Sequence, residues 1–324
     1  MALSDLDTND KKVYEYLKED DFVRVADYCL NLVSDYDVLL TIGITPSRPD
    51  TGYGYIQFTS DTLKNNTKVK PFYSLKKKAV NQNYRVKINN LIRILNKKKI
   101  ELQFISAGEN IAWLLNIRGK DSEFAPIPHA YLTLDRNKKV NFFCDLKKIK
   151  HSFKDKFRDI EFIDIKYTDL FLSKIKDKKI LIDSSSCSIY FENILKRHNK
   201  IIEYLDPIYF LKSMKSKIEI RNIVKSHIYD GVALTKFLFW LKKNYKKQDI
   251  YEISAQEKLK KFREKNKSFK FLSFPTISGS GPNGAIIHYK ATKKSNRKLQ
   301  KGDIYLVDSG GQYNFGTTDV TRTL

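Results

Sequence analysis

Two aspartates bracket a glycine-rich stretch near one end of this chain, and that arrangement restricts the local fold more than any other feature. The run Ile304–Thr323 reads IYLVDSGGQYNFGTTDVTRT. An apolar strand, Ile304 to Val307, ends in Asp308; Gly310, Gly311 and Gly316 form the turn region; Asp319 sits in a second strand. A turn centred near Tyr313 and Asn314 sets Asp308 opposite Asp319 across a β-hairpin. Directly opposed residues share a face, with Cβ atoms ~4.5–5.5 Å apart. Two carboxylates that close repel unless one is protonated or a cation lies between them. Paired metal ions lie ~3.5–4 Å apart, a span that one carboxylate can bridge. The same spacing also fits two solvated aspartates flanking a turn.

Upstream, apolar residues recur at i, i+3, i+4 from Ile220 through Ile223, Val224, Ile228, Leu234, Phe237 and Leu238 to Leu241, which predicts one long amphipathic helix. Ser254 and Glu257 read as a capping box opening a second helix that runs to about Glu264. His288 closes SGSGPNGAIIHY, where Gly281-Pro282-Asn283-Gly284 is a turn signal leading into a strand. By itself His288 reads as a surface or satisfied histidine, and His227 as a packing or hydrogen-bonding residue of the long helix. The GSG stretch lacks the Gly-Lys-Ser/Thr ending of a phosphate loop.

Between about 84 and 212, Val86, Leu91, Ile94 and Leu95 predict a helix. Apolar strands follow at Leu102 to Ile105, Ala130 to Leu134, Val140 to Cys144 and Lys179 to Asp183. Strands alternating with helical stretches make this an α/β domain. Nearer the start, Val13, Leu17, Phe22, Val25, Ala26 and Leu30 fall at helical spacing, and a strand follows at Val38 to Ile44.

The formal net charge of +23 raises the question of nucleic acid. Lysine clusters such as Lys76 to Lys78 and Lys97 to Lys99 carry no interleaved aromatics or arginine forks, so a solvated basic surface is the simpler reading and no specific nucleic acid is expected. No apolar run approaches the ~20 residues of a membrane span. Cys29, Cys144 and Cys187 are odd in number and widely spaced, which fits a reducing cytoplasm.

The runs SHIYDGVAL (Ser226 to Leu234), EISA (Glu252 to Ala255), SFPTISGSGPNGAIIHY (Ser273 to Tyr289) and LVDSGGQYNFGTTDVTRT (Leu306 to Thr323), with ENIAWLLNIRG earlier, resemble the three-domain cytosolic type of Xaa-Pro aminopeptidase, also called aminopeptidase P. The resemblance covers residues 84–324. It implies a creatinase-N-like α/β domain over 81–212, then the first half of a pita-bread metallopeptidase domain over 213–324, an α/β and α+β architecture. It also implies two divalent metal ions, manganese by family habit. Asp308 would chelate one ion, Asp319 would bridge both, and His288 would line the substrate site and assist proton movement. The substrates would be short peptides with proline second, and a homodimer is compatible. The family's remaining ligands, a histidine and two glutamates, are expected beyond Leu324, so this chain is expected to be a catalytically incomplete fragment or a noncatalytic interaction remnant. Residues 1–80 resemble a fragment of a mannose-1-phosphate guanylyltransferase, carried by TIGITPSRPDTGYGYIQ from Thr41 to Gln57, without that family's phosphate loop.

Overall fold

The computed structural model describes residues 70–75, 79–80 and 82–324. The helix expected near Val13 to Leu30, the strand at Val38 to Ile44 and the guanylyltransferase-like stretch lie outside the described residues.

The first body opens with β1 (Tyr73–Ser74), followed by α1 (Tyr84–Lys97), β2 (Leu102–Ile105), α2 (Gly108–Leu115) and β3 (Ile117–Arg118). Next come β4 (Ala130–Asp135), β5 (Val140–Cys144), α3 (His151–Lys154), β6 (Ile160–Asp164) and α4 (Thr168–Ser173). The body finishes with β7 (Lys179–Ile182), α5 (Ile189–Lys196), β8 (Lys200–Glu203) and α6 (Pro207–Ser213). Six strands form one mixed sheet in the order β6-β5-β4-β2-β7-β8. Strands covered on both faces read as near-continuous apolar runs, which is why LQFI and KILI stand out in the sequence. Their side chains divide by pleat. Phe104, Ile180 and Ile182 join Leu172 and Leu195 on one face. Ile105 and Leu181 join Leu91, Leu95 and Leu114 on the other. Phe72 already belongs to that second cluster, and Tyr73 pairs with Arg118.

Asp206 ties α6 to β2 and α2. Its carboxylate caps α6 by accepting from the Ile208 N–H at 2.9 Å, and it also accepts from Gln103 Nε2 at 2.8 Å and Asn110 Nδ2 at 2.7 Å. Burial pushes its pKa up, against the pull of those three donors, and the charge of Asp183 adds to the rise.

The second body begins with α7 (Lys217–Asn244), opened by a capping box in which the Glu219 N–H donates to Ser216 Oγ while Glu219 accepts from the Ser216 N–H. Then come α8 (Glu252–Glu264), β9 (Phe269–Leu272), β10 (Ile277–Ser280), β11 (Tyr305–Ser309), β12 (Gly311–Tyr313) and β13 (Val320–Thr323). Strands β10, β11 and β13 make an antiparallel sheet, and β12 pairs with β9. Helices α7 and α8 cover one face of it through Phe237, Leu241, Leu259, Tyr305 and Val307. Helix α8 starts before the expected Ser254 cap. Ser254 is instead its third residue, and Ser254 Oγ accepts from the Tyr251 N–H at 2.9 Å.

Helix α7 is where apolar character misleads. Its buried stripe is Ser226, Asp230, Ala233, Leu234, Phe237 and Leu241, whereas Ile220, Val224, Ile228 and Val232 form an i, i+4 ridge about half exposed. The helix is therefore apolar on two sides, and burial of Asp230 decides which side faces the sheet.

Candidate active site

Along β11, Tyr305, Val307 and Ser309 are buried while Leu306 and Asp308 are less so. The alternation directs Tyr305 and Val307 into the helix-covered core and leaves Asp308 for the opposite face. Asp308 pairs with Ile277 on one side and Thr321 on the other. The turn is one residue later than the sequence suggested: Gln312 bridges Thr317, and the Tyr313 N–H donates to the Gly316 carbonyl at 2.8 Å. Consequently Asp319 lies just before β13, exposed, and two places from the residue that opposes Asp308, rather than directly across from it.

Glycine chemistry explains the break. A methyl group on Gly310 would put its Cβ 1.9 Å from the Thr318 carbonyl oxygen and 2.2 Å from Ser273 Oγ. The close approach at Gly310 separates β11 from β12 and sends β12 to pair with β9.

The two carboxylates nevertheless interact. The Asp319 carboxyl is pushed above its ordinary range, first by desolvation, then by the charge of Asp308 and a hydrogen bond with it, while the charge of His227 opposes the rise. Asp308 Oδ1 is buried with no hydrogen-bond partner among the described residues. An orphaned carboxylate oxygen beside a coupled second carboxylate is a donor set that suits a hard divalent cation. Among the described residues, no group of three or more His, Cys, Asp or Glu is gathered closely enough to hold a metal. The pair therefore fits a share of a ligand set.

His288 is exposed in a turn, not in the strand expected for it, and it has a left-handed backbone with φ 53°. The stretch after β10 forms a 3-10 turn, Gly281–Ala285, because Pro282 and Gly281, itself at φ 56°, suit a tight turn. A fully buried residue holds this loop. Glu252 accepts from the Ser280 N–H at 2.7 Å, the Tyr289 hydroxyl at 2.7 Å, the Arg297 N–H at 2.9 Å and Asn283 Nδ2 at 3.0 Å. Two of these donors, Ser280 and Asn283, lie before His288, and Tyr289 comes directly after it, so Glu252 fixes the loop on both sides. The sequence offered only the run EISA as a signal for this residue.

A second buried hub lies beneath the aspartates. Arg263 and Asp230, at 0% and 1% exposure, form a two-pronged pair at 2.7 and 3.0 Å. Arg263 Nη2 also donates to Ser309 Oγ at 2.9 Å, and the Tyr313 hydroxyl donates to Asp230 at 2.7 Å. The hub thus joins α7 and α8 to the residue after Asp308 and to β12. His227 stands one turn before Asp230, exposed, with Nδ1 3.0 Å from the Ile223 carbonyl. It is a hydrogen-bonding residue, as one of the two sequence readings had it, rather than a packing one, and its charge acts on Asp319.

Comparison with known proteins agrees with this architecture. Residues 64–219 match the Creatinase/Prolidase N-terminal domain, and residues 221–324 match metallopeptidase family M24. A Drosophila melanogaster protein named Xaa-Pro aminopeptidase ApepP is 39% identical over 238 residues, covering 71% of this chain and 38% of that protein. Xaa-Pro aminopeptidase 1 of Dictyostelium discoideum is 39% identical over 246 residues, covering 74% of this chain and 38% of its own length. The chain thus spans about two-fifths of the length of these curated relatives. A Caenorhabditis elegans X-prolyl aminopeptidase, described as a cytosolic enzyme with a di-nuclear active site, superposes with TM-score 0.73 at 26% identity, over 79% of this chain and 43% of that one. Prolidase from Pyrococcus furiosus shares the fold, with TM-score 0.55 at 19% identity over 72% of this chain and 64% of its own.

Proposed function

Because the chain belongs to metallopeptidase family M24, with a creatinase/prolidase N-terminal domain ahead of that region, we propose that it serves metal-dependent release of the N-terminal residue preceding proline in short peptides. The observation that carries this reading is the interaction of Asp308 with Asp319, together with an Asp308 carboxylate oxygen that has no hydrogen-bond partner among the described residues. A divalent pair, manganese in this reading, would supply Lewis acidity and lower the pKa of a water at neutral pH. Asp308 and Asp319 would hold part of that group. His288 lines the peptide-binding side and assists proton movement, and Glu252 keeps its loop in place. The cytosol is the proposed compartment, as described for the C. elegans relative, and a homodimer is compatible. No helix among the described residues is long and apolar enough to cross a membrane.

The test is manganese-dependent release of the first residue from an Xaa-Pro-Pro peptide. Two carboxylates alone bind a divalent ion weakly, so the chain by itself should give no release above a metal-free control. Fused to the portion of the Drosophila relative that lies beyond its matched region, it should release the residue, and Asp319→Asn in that fusion should abolish release. His288→Ala in the same fusion should cut turnover with metal content unchanged. Release that survives Asp319→Asn would remove Asp319 from the site. Loss of metal in His288→Ala would make that histidine a ligand and overturn its assigned role.

A further inference from the structure

A cavity of about 460 Å³ lies between the creatinase-like body and the hairpin turn at residues 312–317. Among the described residues, its wall carries Lys87, Arg118, Lys212, Lys215 and Lys270 against two carboxylates, Glu109 and Glu219. Both acids already have partners. Glu219 is held in the α7 capping box, and Glu109 accepts from the Tyr209 hydroxyl at 2.7 Å with Lys212 3.9 Å away.

The deepest cations on this wall lack an anionic partner among the described residues. Lys87 is only 4% exposed, and its Nζ donates to the Trp113 carbonyl at 2.8 Å and to Asn116 Oδ1 at 2.6 Å, both neutral. That leaves one ammonium N–H without an oxygen acceptor, with the Trp113 ring centroid 3.9 Å from Nζ. Arg118 Nη1 likewise donates to the backbone carbonyls of Ala112 and Ile117 at 3.1 and 2.8 Å. The Trp113 side chain also lines this wall. A buried charge without an opposite partner is costly. The cost registers at Lys87, whose pKa is pushed down to about 8, first by desolvation, with Glu219 opposing and the Arg118 charge adding to the fall.

We propose that this cavity binds a small oxyanion, a carboxylate or phosphate group seated against Lys87 and Arg118 beside the Trp113 ring. Such a group offers ionised acceptors to two cations whose hydrogen-bond acceptors are all neutral, and charge-assisted hydrogen bonds are the strong kind. The cavity volume suits an ion or the carboxyl end of a short chain, within the range of small-molecule sites. The proposal is separable from the peptidase reading, because the wall of the cavity includes neither Asp308 nor Asp319.

The chain has two tryptophans, so Trp240→Phe leaves Trp113 as the sole indole reporter. The full chain carrying that change is titrated with sodium phosphate and, separately, with sodium succinate, chloride holding ionic strength constant. A saturable change in Trp113 emission is expected with at least one of them. Response to phosphate alone identifies a phosphate group as the ligand; response to succinate alone identifies a carboxylate. Lys87→Met should weaken binding at least ~10-fold, equivalent to ~1.4 kcal/mol, whereas Lys87→Arg should retain it. Arg118→Met carries the same expectation as Lys87→Met and serves if that variant fails to fold by circular dichroism. No saturable response to either anion, or unchanged titration in a folded Lys87→Met or Arg118→Met chain, would overturn the proposal.

Discussion

The two bodies of this chain use a sheet in opposite ways. In the creatinase-like body, apolar clusters cover both faces of six strands, and the polar hub at Asp206 is closed by amide donors. In the second body, α7 and α8 cover one face of three strands, and the other carries Asp308 with an oxygen unpartnered among the described residues. Apolar layering holds the first body, while buried charged hubs at Asp230–Arg263 and Glu252 hold the second in register.

The strongest way to break that contrast is Asp230→Ala. It leaves Arg263 buried without its partner, and removing one member of such a pair costs ~3–5 kcal/mol. Hydrogen exchange should show protection lost across 217–324 while the six-stranded sheet keeps its own. Equal loss in both bodies would mean that the hubs are not specific to the second. The converse change is Leu91→Ala, at a side chain with 0% exposure in the first body. It should cost about 2–5 kcal/mol in denaturant unfolding and loosen β2 and β4 before β11. A smaller effect is expected from Ser216→Ala, which removes the side-chain half of the α7 capping box and should lower stability by ~1 kcal/mol. Exchange should then rise only in the first turn of α7.

The smallest effect sharpens the comparison through pH. The Asp319 carboxyl titrates above its ordinary value in the folded chain. Its contribution to stability is present below the unfolded-state value and is lost as pH rises through the raised folded-state value. At neutral pH the two charges therefore oppose folding. Asp319→Asn should raise the melting temperature relative to wild type at pH 7 and lose that advantage in acid. A lower melting temperature for the variant at pH 7 would contradict the repulsion.

Much of the first body was legible because its strands are nearly all apolar. Leu102–Ile105 and Val140–Cys144 form strands at the predicted positions, and α1 contains the predicted Val86 to Leu95 pattern. The site was less legible, for reasons of close contact and charge. Turn composition suggested a centre near Tyr313 and Asn314, but the approach of Gly310 to Thr318 moves it one residue on and displaces Asp319 from direct opposition. His288 was expected in a strand because AIIHY is apolar, yet the loop bends around Glu252, a contact no local pattern encodes. On α7, the apolar pattern rightly included Leu234, Phe237 and Leu241, which are buried, but also Ile220, Val224 and Ile228, which are about half exposed on the side away from the buried Asp230–Arg263 pair.

The measurement that bears most directly on the acidic pair is manganese binding by calorimetry to the wild-type chain, Asp308→Asn and Asp319→Asn at matched ionic strength. If these two carboxylates hold a divalent ion, wild type binds weakly but saturably and each variant loses that binding. Equal binding by all three chains would place the metal elsewhere and leave the aspartates as neighbours on a hairpin.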